Sequence, residues 1–188
     1  MFNSIDSAPR MIILIALSGS LRRDSANTTL LRAACALAPA GVRIVLYEGV
    51  GELPFFNPDS ESDPPPAVRE LRGLLGAADG IIVASPEYAH GVPGAFKNAL
   101  DWLVGCAELG SKPVALINTS ARALHAQAAL AEIVTTMGWT VIAAASPLIA
   151  VANKGFDAAR MVADPALAGP LLAAIEALVL ATGTELAP

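Results

Sequence analysis

Cysteine, charge and unbroken apolar sequence are all scarce in this 188-residue chain. The only two cysteines, Cys35 and Cys106, lie far apart with no metal-type spacing. They suggest neither a disulfide framework nor a zinc site. Cys35 falls inside an Ala/Leu helical pattern, and both read as small buried hydrophobes. Such usage fits a reducing, cytoplasmic setting. Charged residues make up 15% of the chain and the net charge is −5. No basic block exists, so a nucleic-acid partner has no electrostatic footprint. The apolar fraction is 54%, yet no window reaches the roughly 18 unbroken apolar residues of a membrane helix. The richest stretch, VIAAASPLIAVA, is cut by Ser146 and Pro147. A soluble protein with no membrane partner is expected. The first ten residues, MFNSIDSAPR, show no basic start followed by an apolar segment, so no secretory signal is read. Residues 1–10 are expected to form a loose tail and residues 11–188 one domain. The nucleotide signatures GxxxxGK[ST] and GxGxxG are absent too.

What is present alternates. Met11–Leu17, Val42–Tyr47, Gly80–Ser85, Lys112–Asn118 and Trp139–Ala145 are short apolar runs that predict strands. Asp24–Ala38, Ala67–Ala77, Pro93–Val104, Ala121–Met137 and Asp164–Thr182 predict helices. Their stops and starts are legible: Pro39 and Gly41, Gly138, Asp164 as a cap with Pro165 just inside. Glu48–Pro66, with its many prolines, reads as a loop, and Ser146–Ala163 as irregular. Strands buried on both faces read as continuous apolar runs, so the pattern predicts a doubly wound parallel sheet with helices on both sides. Ligands bind such sheets at the carboxyl ends of the strands. That singles out Ser18–Asn27, Ser85–Val92 and Thr119–Arg122.

The first of these loops, GSLRRDSAN, combines hydroxyls, an amide and two arginines with a helix amino end. Free N–H groups, a partial positive charge and a guanidinium fork together suit a phosphate. The same residues also fit a capped helix, with Asp24 or Ser25 as cap and the arginines solvated. Asp24 opposes an anion unless it points away. In SPEYAHGVPGAFKNALDWL, Tyr88 stands at a strand's carboxyl end, either lining a planar ligand or packed as an ordinary aromatic. Gly91 and Gly94 allow close backbone approach. His90 reads as a surface histidine, Lys97 and Asp101 as an i,i+4 ion pair, and Trp102 as a packing residue.

GSLRRDSAN followed by PEYAHGVPGAFKNALDWL resembles the NADPH-dependent FMN reductase family, flavodoxin-like flavoproteins that include quinone, azo-dye and chromate reductases. The resemblance spans roughly Met11–Leu180. It implies a flavodoxin-like five-stranded sheet in the order 2-1-3-4-5, with FMN and NADPH (or NADH) as cofactors. It places the FMN phosphate on Ser20, Arg22, Ser25 and Asn27. It lays the flavin ring along Pro86, Glu87, Tyr88, Ala89, His90 and Gly91, with Ser120 of the third loop facing it. Three departures stand out. Ala89 replaces the family's asparagine, Phe96 its leucine, and NTSARALHAQ stands where a Gly-Gly pair is common. Arg122 in that loop fits either a negative ligand or a solvated side chain, and His125 reads as structural.

The implied activity is NAD(P)H oxidation through bound flavin, with a small acceptor reduced at the same place: a quinone, free flavin, an azo compound or a metal oxyanion. It needs no side-chain nucleophile and no metal, and none is assigned. A homodimer or homotetramer is implied, with Phe96–Leu103 and Leu53–Pro66 as contact surfaces. Two rivals share the fold: an electron-carrier flavodoxin, and a flavin-free relative that binds another phosphate ligand.

Overall fold

The computed structural model describes residues 10–184. Residues 1–9, which hold nearly all of the expected tail, and residues 185–188 lie outside the described residues. Five parallel strands form one sheet: β1 (Ile12–Ser18), β2 (Val42–Tyr47), β3 (Gly80–Ala84), β4 (Pro113–Leu116) and β5 (Thr140–Val141), in the order β2-β1-β3-β4-β5. The register pairs Leu14 with Ile44 on one side and Ala16 with Ile82 on the other. Among the described residues six α-helices surround it: α1 (Ala26–Ala36), α2 (Pro66–Ala77), α3 (Gly94–Asp101), α4 (Leu124–Thr136), α5 (Ala158–Ala163) and α6 (Pro165–Ala181).

Strand side chains alternate between faces, and the core divides accordingly. Ile15, Leu17, Val83 and Leu116 pack with Leu71, Phe96, Leu100, Trp102 and Leu130 on the side of α2, α3 and α4. Ile12, Leu14, Ala16 and Ile82 pack with Leu30, Leu31, Ile175 and Leu178 on the side of α1 and α6. Both faces are apolar, which is why the strands read as runs. Among the described residues, no helix is long and apolar enough to cross a membrane.

Polar side chains close the element ends. The Lys112 Nζ donates to the carbonyls of Gly76 (2.9 Å) and Ala78, just past the last turn of α2, where a cation opposes the helix dipole. Asp79 Oδ2 accepts from Ile13 N–H (2.8 Å). Asp164 caps α6, accepting from Ala166 N–H (3.0 Å), with Pro165 at its start. Trp102 is buried; its Nε1 donates to the Pro54 carbonyl (2.8 Å), and its ring meets Phe56 edge-on at 5.0 Å. Lys97 and Asp101 form the i,i+4 pair at 2.5 Å. Cys106 is buried and Cys35 half-buried; burial raises both thiol pKa values.

Several boundaries differ from expectation for physical reasons. The fifth strand stops at Val141, not Ala145, because Ser146 takes over its pairing. The Ser146 Oγ accepts from Leu116 N–H (2.9 Å) and donates to the Ile142 carbonyl (2.8 Å). The chain then pairs again just past the end of β4, through an isolated Asn118–Leu148 bridge. The segment expected to be irregular holds α5, whose cap is Asp157, accepting from Arg160 N–H (2.7 Å). The Glu48–Pro66 loop contains two 3₁₀ turns, Gly49–Glu52 and Pro58–Ser60. The first helix is capped by Ser25 rather than Asp24. The fourth helix begins at Leu124, since Ala121–Ala123 turn back onto Ser120 and Asn118.

Candidate functional site: a hydroxyl- and arginine-lined cleft

A cleft of about 1020 Å³ opens at the carboxyl ends of β1, β3 and β4. One wall is the β1–α1 loop. Gly19 is obligatory there: a Cβ at that position would lie 2.1 Å from Ser85 Oγ and 2.6 Å from Ser85 Cβ. The loop therefore rests directly on the end of β3.

The serines of this loop are pre-oriented. Ser20 Oγ accepts from Arg22 N–H (3.3 Å), and Ser25 Oγ, as helix cap, accepts from Thr28 N–H (3.4 Å). Ser120, on the opposite wall, accepts from Arg122 N–H (3.3 Å). Each hydroxyl thus accepts one backbone N–H, which fixes its oxygen, and keeps its O–H as a donor. Ser20, Ser25 and Asn27 are buried. Asn27 Oδ1 accepts from the buried Thr119 hydroxyl (2.9 Å), tying the first turn of α1 to the β4–α4 loop.

Arg22, Arg23 and Arg122 all line the cleft, and among the described residues none forms an ion pair. Two of the three acidic side chains at the cleft, Glu87 and Asp157, are occupied as helix caps. Unpaired guanidinium groups, donor hydroxyls and the amino end of α1 converge on one space. That donor set suits a phosphate, and a cleft of about 1020 Å³ leaves room for the rest of a nucleotide.

The β3–α3 loop forms the far edge. Glu87 Oε2 accepts from Ala126 N–H (2.8 Å) in the first turn of α4, a helix whose own cap residue, Ala123, has no side-chain bond to offer. Tyr88 is 55% exposed, so it is not the packed aromatic that was the alternative. Tyr88 and Gly91 exchange backbone hydrogen bonds (3.1 and 3.0 Å) around Ala89 and His90, at φ of 49° and 60°. This is a tight turn with both central residues left-handed. Asparagine tolerates that region better than alanine does. The departure at Ala89 therefore concerns the backbone of the turn. His90 stacks on His125, with ring centres 4.3 Å apart.

Of the expected site residues, Ser20, Arg22, Ser25, Asn27, Pro86, Glu87, Tyr88 and Ser120 line the cleft, and Ala89, His90 and Gly91 form the turn beside it. Thr119, in the third loop that the sequence singles out, and the stretches 151–153 and 155–158, within the Ala145–Ala163 segment expected to supply pocket walls, also line it, though the sequence assigned none of them a ligand contact. Thr119 and the first of these stretches are placed by backbone: Val151 N–H and Ala152 N–H donate to the Thr119 carbonyl (3.1 and 3.0 Å).

A parallel sheet in this order, with a phosphate-suited cradle after its first strand, defines a flavodoxin-like nucleotide-binding protein. The comparisons with known proteins narrow the class. The model of the NADPH-dependent FMN reductase family matches residues 12–154, and the chain belongs to that family. Among curated relatives, 2-hydroxy-1,4-benzoquinone reductase of Burkholderia sp is 40% identical over 109 residues, 56% of this chain and 59% of that protein. The quinone reductase of Escherichia coli (strain K12) is 35% identical over 111 residues, 57% of this chain and 58% of that protein. The match thus spans less than two thirds of these relatives. Among solved structures, the flavoenzyme NAD(P)H:(acceptor) oxidoreductase FerB from Paracoccus denitrificans superposes with a TM-score of 0.80 at 29% identity, covering 92% of this chain and 97% of that one.

Proposed function

We propose that this protein is an FMN-dependent NAD(P)H oxidoreductase that reduces a small acceptor of the quinone class. The observation that carries the reading is the cradle itself: three serine hydroxyls each fixed by a backbone N–H and free to donate, and three arginines without carboxylate partners among the described residues, on one cleft. Family membership and the names of the relatives point the same way.

In this reading Ser20, Arg22, Ser25 and Asn27 hold the FMN phosphate together with the free N–H groups of α1. Pro86, Glu87, Tyr88 and the turn through Ala89, His90 and Gly91 border the ring, and Ser120 faces it from the third loop. When bound, the flavin supplies the hydride chemistry, accepting from a nicotinamide and delivering to the acceptor. The chain positions and encloses. Glu87 holds the β3–α3 loop against α4 through Ala126, which fixes the edge from which Tyr88 projects. Arg122, on the same cleft as Arg22, favours anionic groups on either substrate. No side chain is assigned a proton-transfer or nucleophilic role. A homodimer or homotetramer in the cytoplasm belongs to the same proposal. The apolar side chains of Phe96–Leu103 are taken up in the protomer's own core, so that segment does not offer the expected apolar contact face; the exposed Phe55 (92%) and Val104 (56%) are the apolar side chains left for a subunit contact.

An absorption spectrum of the purified protein with and without added FMN, followed by anaerobic NADPH or NADH, tests the reading. Flavin bands that bleach on addition of nicotinamide, then recover with a benzoquinone, are expected. Failure to bind FMN refutes it; binding without bleaching turns the protein into an electron carrier. A strict monomer at micromolar concentration by light scattering overturns the oligomer.

A further inference from the structure

The chain has two histidines, and the fold brings them together. His90 stands in the Tyr88–Gly91 turn and His125 in the first turn of α4, and both are exposed. Their rings stack with centres 4.3 Å apart and planes 15° from parallel. The stack is the second of two fasteners between the same two segments. The first is the Glu87 carboxylate, which accepts from the N–H of Ala126, the residue next to His125 (2.8 Å). The turn needs holding. Ala89 and His90 both lie at left-handed φ, and the turn closes on itself only through the paired backbone bonds of Tyr88 and Gly91.

The two fasteners respond differently to protons. Stacked imidazoles attract while at most one ring is charged. With both charged, two cations face each other at 4.3 Å, a repulsion that shifts an equilibrium by at least about fivefold even in water. Histidine changes charge between about pH 5 and 8. On the α4 side the surroundings add to the repulsion. The amino end of the helix carries partial positive charge, and Arg122, just before it, has no ion-pair partner among the described residues. On the turn side stand Glu87, already engaged by Ala126 N–H, and Tyr88; Lys97, further on in α3, is paired with Asp101.

We propose that His90 and His125 are positioning residues: their stack holds the ring-side turn of the cleft against α4 while the pair carries at most one proton, and releases it when both rings are protonated. The second proton, taken from solvent, favours the released turn. Order in the turn is therefore greatest above neutral pH and falls as pH drops through the histidine range. The consequence for the cofactor rests on the flavin reading of the cleft; the stack itself does not.

Amide hydrogen exchange on the full-length protein without FMN tests the stack. Protection of the Tyr88 and Gly91 N–H groups, corrected for intrinsic rates, is compared at about pH 7.5 and about pH 5.5. It should fall at least about fivefold more in the natural protein than in His125→Phe, which keeps a ring in the stack but takes no proton. At the higher pH His125→Phe should match the natural protein within about twofold, and His125→Ala should lose about threefold or more. His90→Asn, which suits the left-handed backbone and removes one ring, should also lose the extra fall with pH. An equal fall in the natural protein and His125→Phe overturns the inference. So does an extra fall that survives in His90→Asn, or full protection in His125→Ala. FMN titration by fluorescence quenching then tests the consequence. Affinity of the natural protein should fall between the two pH values at least about threefold more than that of His125→Phe, since the titration of the phosphate is common to both. Equal falls overturn the positioning role. If none of the proteins binds FMN, the flavin reading fails, and the exchange comparison alone decides the stack.

Discussion

The Tyr88–Gly91 turn places two ordinary residues, Ala89 and His90, at φ of 49° and 60°. For an L-residue other than glycine or asparagine the left-handed region costs about 1–2 kcal/mol. Ala89 makes no hydrogen bond that would offset this beyond those of the turn itself, which run between Tyr88 and Gly91. Ala89→Asn adds a side chain suited to the region and no flexibility to the unfolded chain. It should recover about 0.5–1 kcal/mol, a rise of roughly 1–4 °C in Tm for a chain of this size. Ala89→Gly removes the clash outright but returns about 0.4–1 kcal/mol to the unfolded chain as entropy, so its gain is smaller. Ala89→Val, β-branched at a positive φ, should lower stability by about 1 kcal/mol or more. Thermal unfolding of the four proteins at one pH and one FMN concentration gives the order. If asparagine and glycine both fall at or below alanine, the turn carries no backbone strain at residue 89. The family's asparagine would then need another explanation.

Three further outcomes follow from contacts already described. Gly19→Ala forces the β1–α1 loop off Ser85 and should weaken FMN binding at least about tenfold, read by fluorescence quenching, since the donors of a preorganised site tolerate little displacement. Glu87→Ala leaves the amino end of α4 uncapped and should cost about 1–2 kcal/mol in urea unfolding, with Glu87→Gln recovering part of it because the amide oxygen still accepts from Ala126. Lys112→Met strands the carbonyls of Gly76 and Ala78 and should destabilise by about 1–2 kcal/mol, with Lys112→Arg intermediate.

The sheet was legible because each buried strand is a short apolar run between turn residues, and because Ser25 and Asp164 are ordinary caps. The phosphate-suited loop was legible because its hydroxyls and arginines are contiguous. What stayed hidden depends on contacts between distant segments. Nothing local marks Ser146 as the residue that ends β5 by taking a ladder bond of Leu116. Glu87 reads as a loop acid until α4 is seen to start beside it without a cap of its own. Thr119 reads as a turn residue until its partner, 92 positions away, is known. The left-handed turn at Ala89 was invisible for a different reason: neither alanine nor histidine advertises a positive φ.

The Thr119–Asn27 hydrogen bond bears on how the chain is made. During synthesis β1, β2 and β3 can pair once the first 84 residues are out, so the loop with Ser20 and Ser25 exists early. Its tie to Thr119 is 35 residues further on, roughly 2–7 s later at about 5–20 residues per second. Val151 and Ala152, which hang from the Thr119 carbonyl, come later still. A nascent chain thus carries an anion-attracting loop before it has the wall that closes over it. The cleft is fully walled only after Val151 and Ala152 have been made, which makes a complete site a late product of synthesis.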